Sequence, residues 1–513
     1  MNTKRVVVIG AGVGGLVTAI DLARQGLEVT VVEKAQGPGG KMREIQVGGA
    51  GIDAGPTLFT MAWVFEDLFA DAGTSLSDYI RLERAEVLAR HAWSETEQLD
   101  LYADLERSAD AVARFAGPHE GRRFREFSAR AKQIYDTLEG PFLRSSRPNP
   151  LSLVNRVGLG RLGDLRKIKP YTMMWDSLCD YFQDPRLRAL FGRYATYIGS
   201  SPLQTPATLM LMAQVEQNGI WLVNGGMFAL TKALERLAIE RGVAFRFGSE
   251  VRSIQVENGR AKAVVLENGE RLDGDALVLN ADVASLAAGL FGNGVAKASA
   301  PVPASQRSLS LMAWTVNATT SGFPLVRHSY FYSQDYVAEF RDVFERRRLP
   351  GAPTVYVCAQ DRNDKDGQGP AGPERLLLLI YAPSNGDTHT YEQAEIEQCE
   401  ELTFSYLERF GLRIDRGPGT SVLTTPSQFH RIFPATGGAI YGRAAHGWLA
   451  SFTRPASRSR VPGLYLAGGS VHPGPGVPMA GISGRLAAAT LISDLASTGR
   501  SRKTVTLGGT STR

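Results

Sequence analysis

Three short stretches of the 513-residue chain combine residue types and spacings that could do chemistry. The first is Gly10-Ala11-Gly12-Val13-Gly14-Gly15, with Glu33 eighteen residues after Gly15. In such a loop Gly10 permits a tight turn, Gly12 lets backbone approach a pyrophosphate, and Gly15 lets a helix pack close to a strand. Ala11 and Gly14 complete the loop, and a helix opening there turns free N–H groups and its positive dipole end toward phosphate. Glu33, with Lys34 beside it, is placed to accept hydrogen bonds from the ribose of an adenosine. The second stretch is Gly39-Gly40-Lys41, followed by Asp53-Ala54-Gly55-Pro56-Thr57. A nicotinamide dehydrogenase has no need of this further glycine turn. A flavin does, because its larger ring must be met by extra backbone near the pyrophosphate and ribityl chain. The third stretch runs from Ala467-Gly468-Gly469-Ser470 to Val477-Pro478-Met479. A glycine turn before a helix N-terminus can hold ribityl oxygens and stabilise negative charge on a reduced flavin. FAD rather than NAD is therefore the expected cofactor. Gly40, Lys41, Gly55, Pro56, Thr57, Val251, Gly469, Ser470, Val477, Pro478 and Met479 are expected to share its site with the N-terminal loop. Asp53 could act as a base, but its place before a glycine turn suits it to backbone N–H groups.

Loops of this kind need rigid elements on either side. Residues 6–9 read as a buried strand, 16–25 as a helix stopped by Gly26, and 29–32 as a second buried strand, which together make one βαβ unit. Near the other end, 463–467 read as a strand, 468–481 as a loop and 482–495 as a closing helix. Residues 76–219 read as largely helical. From 220 to 300 the pattern alternates again: a helix at 228–241, strands at 242–247, 250–257, 261–266 and 276–280, and a hairpin turn at Asn268-Gly269. Strands are expected at 309–316, 354–359 and 376–382, and a helix at 392–410. The interleaving predicts an α/β fold with a second, α+β domain. Residues 1–75, 220–300 and 455–497 would bind the nucleotide, 76–219 and 301–454 the substrate, and 498–513 would form a disordered tail.

Composition narrows the chemistry. With 43% hydrophobic and 21% charged residues, the chain has the profile of a globular enzyme. Cys179, Cys358 and Cys399 are far apart, which excludes a disulfide framework, a dithiol redox pair and a cysteine metal site, and suits a reducing cytosol. No metal site is expected. GxxxxGK[ST], HExxH and GxSxG are absent, so nucleotide hydrolysis, zincin and nucleophile-elbow chemistries lose their signatures. Lys4-Arg5 and the apolar run 6–20 mimic a signal peptide, but the run holds ordered glycines and continues amphipathically, so no export signal is expected. No apolar stretch reaches the roughly 18 residues that span a bilayer. The net charge of +5 is too weak to argue for nucleic acid, and the basic residues follow no recognition motif.

The chain resembles the flavin-dependent carotenoid and phytoene desaturases, within the glutathione-reductase-type FAD folds, over nearly its whole length. The resemblance rests on the Gly10–Gly15 loop, Glu33 with Gly39-Gly40-Lys41-Met42, Asp53-Ala54-Gly55-Pro56-Thr57, and Asn224-Gly225-Gly226-Met227. The most discriminating stretch is Ala467-Gly468-Gly469-Ser470-Val471-His472-Pro473-Gly474 followed by Gly476-Val477-Pro478. Arg90-His91-Ala92-Trp93 and Gly55-Pro56-Thr57-Leu58-Phe59-Thr60-Met61 are similar to the branch acting on 1-hydroxylated acyclic carotenoids, the bacterial 1-hydroxycarotenoid 3,4-desaturases of purple phototrophs. One departure is Gly469-Ser470 where many flavoproteins have Gly-Asp, so that Ser470 or backbone must serve the ribityl hydroxyls.

The resemblance implies a Rossmann-like FAD domain with a discontinuous substrate domain, and insertion of a C3=C4 double bond beside a polyene. Hydride leaves allylic C4 for flavin N5, and a proton then leaves C3. Oxygen or a quinone would reoxidise the flavin. The alternatives are another desaturase or isomerase of the family, acting on phytoene or neurosporene, or a non-catalytic prenyl-lipid carrier. His472, entering the flavin-facing helix, and His91, suited to a terminal hydroxyl or a proton relay, are the catalytic candidates; either could instead be structural. Residues 142–175 interleave basic with apolar and aromatic side chains, which suits a peripheral position on the inner, intracytoplasmic membrane or, alternatively, an amphipathic core segment.

Overall fold

The computed structural model describes residues 3–146, 171–363 and 369–503. Val6, Val7, Val8 and Ile9 are all buried, and their strand, Arg5–Ile9, is the centre of a five-stranded parallel sheet. Glu28–Val32 and then Ala244–Arg246 lie on one side of it; Ala276–Leu279 and then Leu464–Leu466 lie on the other. A strand covered on both faces must be apolar throughout, which is how these short runs read. The helix Val13–Ala23 lies over this sheet, with all but its last residue buried. The helix Val477–Lys503 crosses it so closely that the Thr18 hydroxyl donates to the Gly484 carbonyl at 3.1 Å. A Cβ on Gly484 would overlap the Gly14 carbonyl, so only glycine allows that approach.

A second sheet of eight strands is built mainly from Ser310–Gly322, His328–Phe331, Val355–Ala359 and Glu374–Ala382, and is extended by Val87–Ala92 and Gln98–Tyr102. Side chains alternate across it with the strand period of two. Met312, Trp314, Phe331, Val357, Leu376 and Leu378 pack on one face in a core with Cys399 and Leu407 of the helix Gln393–Glu408. Leu311, Tyr330, Tyr356, Leu377 and Tyr381 point the other way. Burial on both faces explains why 376–382 is an unbroken apolar run.

The strands of the parallel sheet come from within 1–75, 220–300 and 455–497, and those of the larger sheet from 76–219 and 301–454. One element ignores this division: Ile220–Val223 pairs with both Phe59–Thr60 and Leu82–Arg84. Among the described residues the stretch 76–219 is largely helical, and Leu82–Arg84, Val87–Ala92 and Gln98–Tyr102 are strands within it. Two expectations are corrected. The closing helix begins at Val477, inside the expected 468–481 loop, since Pro478 falls in its first turn, where no N–H is needed. The helix also runs to Lys503, into the expected tail; 504–513 lie outside the described residues. So do 147–170, the greater part of the proposed membrane segment. No helix among the described residues is long and apolar enough to cross a membrane.

Candidate functional site

A cavity of about 940 Å3 runs from the glycine loops of the parallel sheet to the tyrosine face of the larger sheet. At its first end the wall is backbone. Gly10 has φ +100°, and a Cβ there would stand 2.7 Å from the Asn280 carbonyl. Asn280 closes the loop from below: Cβ atoms on Gly12 and Gly14 would meet its side chain at 2.8 and 2.7 Å, and its amide donates to the Ala467 carbonyl at 3.1 Å. Gly39 forms a bridge with Gly12, and its N–H donates to the Ala11 carbonyl at 2.9 Å, which locks the two glycine turns together. A Cβ on Gly55 would overlap the Lys41 carbonyl. Asp53 does not face the cavity; its carboxylate accepts from the N–H groups of Met227 and Phe228 at 2.6 and 2.9 Å and so caps the helix Phe228–Glu240.

Of the residues assigned to the cofactor, Gly10, Gly12, Gly14, Glu33, Lys34, Gly40, Lys41, Gly55, Pro56, Thr57, Val251, Gly469, Ser470, Val477, Pro478 and Met479 line this cavity. Ala11 and Gly15 stand just behind it. The Ala11 N–H donates to Glu33 at 2.7 Å, and Gly15 packs its helix against the Gly10 carbonyl. The other Glu33 oxygen accepts from the Ala35 N–H at 2.9 Å, so backbone fixes this carboxylate at the rim. Ser470 Oγ accepts from the Val283 N–H at 3.1 Å. Three polar residues here escape sequence reasoning: Asn280, Asp282 and Arg454. The first two directly follow the strand Ala276–Leu279, at the carboxyl edge of a parallel sheet, where ligand crevices form. Asp282 keeps one buried oxygen without a partner. Burial pushes the Lys41 ammonium down, against the pull of Asp282, and brings Arg454 down to about 10.

These features fit a flavin dinucleotide. Two helices open onto the groove, at Gly12 and at Val477, with N–H groups available to phosphate and flavin. The glycine cradle leaves room for backbone contact that any Cβ would fill. Lys41 and Arg454, both partly buried, add the positive charge that a pyrophosphate needs. Among the described residues, no group of three or more His, Cys, Asp or Glu side chains could hold a metal ion.

At the other end the wall is side chain. Leu309, Leu311, Leu377 and Leu379 are apolar, and between them stand Tyr330, Tyr356 and Tyr381. Tyr330 and Tyr356 are cross-strand partners with ring centroids 4.7 Å apart, and Tyr356 pairs in turn with Leu379. The Tyr356 hydroxyl meets Thr57 Oγ1 at 2.7 Å and His328 Nδ1 at 2.7 Å, linking the second glycine turn to a buried imidazole. Burial first, and nearby Arg327 next, hold His328 well below the ordinary histidine value. Beside Tyr330 lies a buried ion pair, Arg193 and Glu216, 2.8 Å apart.

Neither predicted catalytic histidine lines the cavity. His91 is the register partner of Tyr330 on the next strand, stacked on it with centroids 5.4 Å apart, and so stands one strand outside the wall. Its Nδ1 meets the Tyr332 hydroxyl at 3.2 Å, and Nε2 has no partner. His472 turns away, its Nε2 3.0 Å from the Phe142 carbonyl and its ring edge-on to Phe142.

Residues 13–492 match the family model of flavin containing amine oxidoreductases. The chain is 53% identical, over all of its length and 98% of the relative's, to a hydroxyneurosporene desaturase of Rubrivivax gelatinosus. It is 42% identical to a hydroxyneurosporene desaturase of Cereibacter sphaeroides, covering 97% of this chain and 99% of that one. Among solved structures, wild-type putrescine oxidase bound to putrescine superposes with a TM-score of 0.61 at 15% identity, over 96% of this chain and 99% of the other.

Proposed function

The chain belongs to the family of flavin containing amine oxidoreductases, and from that premise we propose that it inserts the C3–C4 double bond of an acyclic 1-hydroxycarotenoid. It is an FAD-dependent oxidoreductase acting on CH–CH groups, of the carotenoid desaturase kind. The observation that carries the finer reading is the single cavity joining the glycine cradle to an apolar, tyrosine-studded wall. In this reading 1–75, 220–300 and 455–497 hold FAD through the lining residues described above, and 76–219 with 301–454 hold the polyene.

When bound, FAD supplies the acceptor for the hydride that leaves an allylic carbon. The chain's own residues have three tasks. The leucines of the larger sheet bind the chain and exclude water. The cradle fixes which carbon faces the reactive ring. Tyr356 lines the cavity, and through its hydroxyl a proton can pass to His328 Nδ1. A proton beside a carbocation needs only a weak base, so an imidazole kept neutral by burial is sufficient.

A membrane face fits the substrate's insolubility. Trp448 lines the cavity yet is 43% exposed, packs edge-on to Tyr171 at 5.1 Å, and adjoins exposed Leu449. Aromatic and apolar side chains at such a rim suit entry of a polyene from lipid. The testing experiment supplies holoprotein with liposomes carrying 1-hydroxyneurosporene or phytoene. Lengthening of the polyene spectrum with the first substrate is expected. No change with it, by protein that retains flavin, sinks the proposal.

A further inference from the structure

A hydroxyl at C1 is one polar group on an otherwise apolar chain, and an apolar tunnel discriminates weakly against its absence. Strong discrimination needs a buried polar partner that the wrong substrate leaves unpaired. One such locus lies in the cavity away from the glycine cradle. Helix Leu211–Asn218 brings Glu216 to the wall, the turn Arg193–Ile198 brings Tyr197, and strand His328–Phe331 brings Tyr330. Behind them Arg193 pairs with Glu216, both almost fully buried, and stacks over the rings of Tyr194, Tyr330 and Tyr197 at 4.6, 4.7 and 5.3 Å.

An ion pair this deep contributes little to stability compared with well-packed apolar residues, so its presence in a greasy wall calls for another reason. The hydrogen bonds suggest one. Glu216 accepts from Arg193, from Tyr194 at 3.2 Å and from Tyr197 at 2.7 Å, which occupies both of its oxygens. The Tyr197 proton is thereby committed, and its oxygen can only accept. Tyr330 Oη stands 3.4 Å from that oxygen, a long contact that leaves it able to exchange hydrogen bonds with a ligand hydroxyl. The position suits the chemistry as well. Tyr330 is one ring removed from Tyr356, which touches Thr57 of the second glycine turn. In a 1-hydroxycarotenoid a single carbon separates C1 from C3, so the hydroxyl must be held close to the reacting bond.

We propose that Tyr330, oriented by Tyr197 and the Arg193–Glu216 pair, hydrogen-bonds the C1 hydroxyl and determines specificity for hydroxylated chain ends. The inference rests on the substrate reading above. Its test compares holoenzyme with Tyr330→Phe and, because either variant alone could misfold, with Tyr197→Phe. Two ratios are measured for 1-hydroxyneurosporene against neurosporene in detergent micelles: kcat/KM, and Kd from quenching of protein fluorescence. Flavin content and circular dichroism monitor the fold. The preference for the hydroxylated carotenoid should fall about ten- to hundredfold in both ratios for Tyr330→Phe, and in the same direction for Tyr197→Phe. An unchanged preference in a folded, flavin-loaded variant overturns the inference. Failure of the wild type to convert either carotenoid would sink the substrate reading instead, and the Kd ratio would still decide the anchor.

Discussion

Around Gly10–Gly15 the wall of the cavity is main chain, closed from below by the Asn280 side chain, and an added methyl at Gly15 would overlap the Gly10 carbonyl. Across the same cavity the wall is made of large side chains: Tyr330, Tyr356 and Tyr381 with the leucines between them. One end is shaped by what is missing from its residues and the other by what they carry. Backbone recognises what all dinucleotides share, so it can be fixed by short motifs. Side chains distinguish one hydrocarbon chain from another, and they come from strands scattered between residues 309 and 381. The first end should therefore fail completely when filled, and the second should fail by degrees when trimmed.

The largest effect is expected at the cradle. Gly15→Val should abolish flavin retention, read as flavin absorbance per polypeptide, because the neighbouring carbonyl has no room to yield. Stoichiometric flavin in that variant would break the contrast. At the other end, Arg193→Met should destabilise the protein by about 3–5 kcal/mol in denaturant unfolding, since it strands a buried carboxylate. Removing Glu216 as well, in Arg193→Met/Glu216→Leu, should recover much of that loss. Tyr356→Phe cuts the link between Thr57 and His328 while keeping the ring; kcat should drop about 10- to 100-fold with flavin content unchanged. Equal rates would remove the proton path. The smallest effect is on pH. Burial holds His91 and His328 well below the ordinary histidine value, so the unfolded chain binds more protons than the folded one as pH falls below about 6.5. Stability should decline as pH drops through that window, by at most about 1.4 kcal/mol per pH unit for each histidine. His328→Gln should flatten the slope, and an unaltered slope would show that this imidazole charges freely.

The same contrast explains what could be read from residue order alone. Gly10, Gly12, Gly15 and Glu33 lie within one βαβ unit, so spacing along the chain is nearly spacing in the fold. The sheet end has no such shortcut. His91 attracts notice through its Arg-His-Ala-Trp context, yet its place is settled by parallel pairing with Tyr330, 239 residues away. That register leaves it one strand outside the cavity. Tyr356 and His328 gain meaning only once Thr57 is brought to them. Nothing local distinguishes Arg193 and Glu216 from the other charged residues of an arginine-rich segment, because their partnership exists only after the turn Arg193–Ile198 and the helix Leu211–Asn218 meet. Asn280 is different. It follows a strand that periodicity does find, and the rule that crevices form at carboxyl ends of parallel strands points to it.

The parallel sheet is threaded out of chain order: Val6 pairs with Ala276, and Leu277 with Leu464. Gly468, which presses on Gly14, and the helix opening at Val477 therefore leave the ribosome long after the Gly10–Gly15 loop. At about 5–20 residues per second, an N-terminal loop already complete must wait tens of seconds for its opposite wall. Until then the nascent chain exposes the apolar edge of Ala276–Leu279, where Leu464–Leu466 will pair. A protein of this topology is thus born needing protection, and its cofactor can be locked in only after the helix at Val477 has been made.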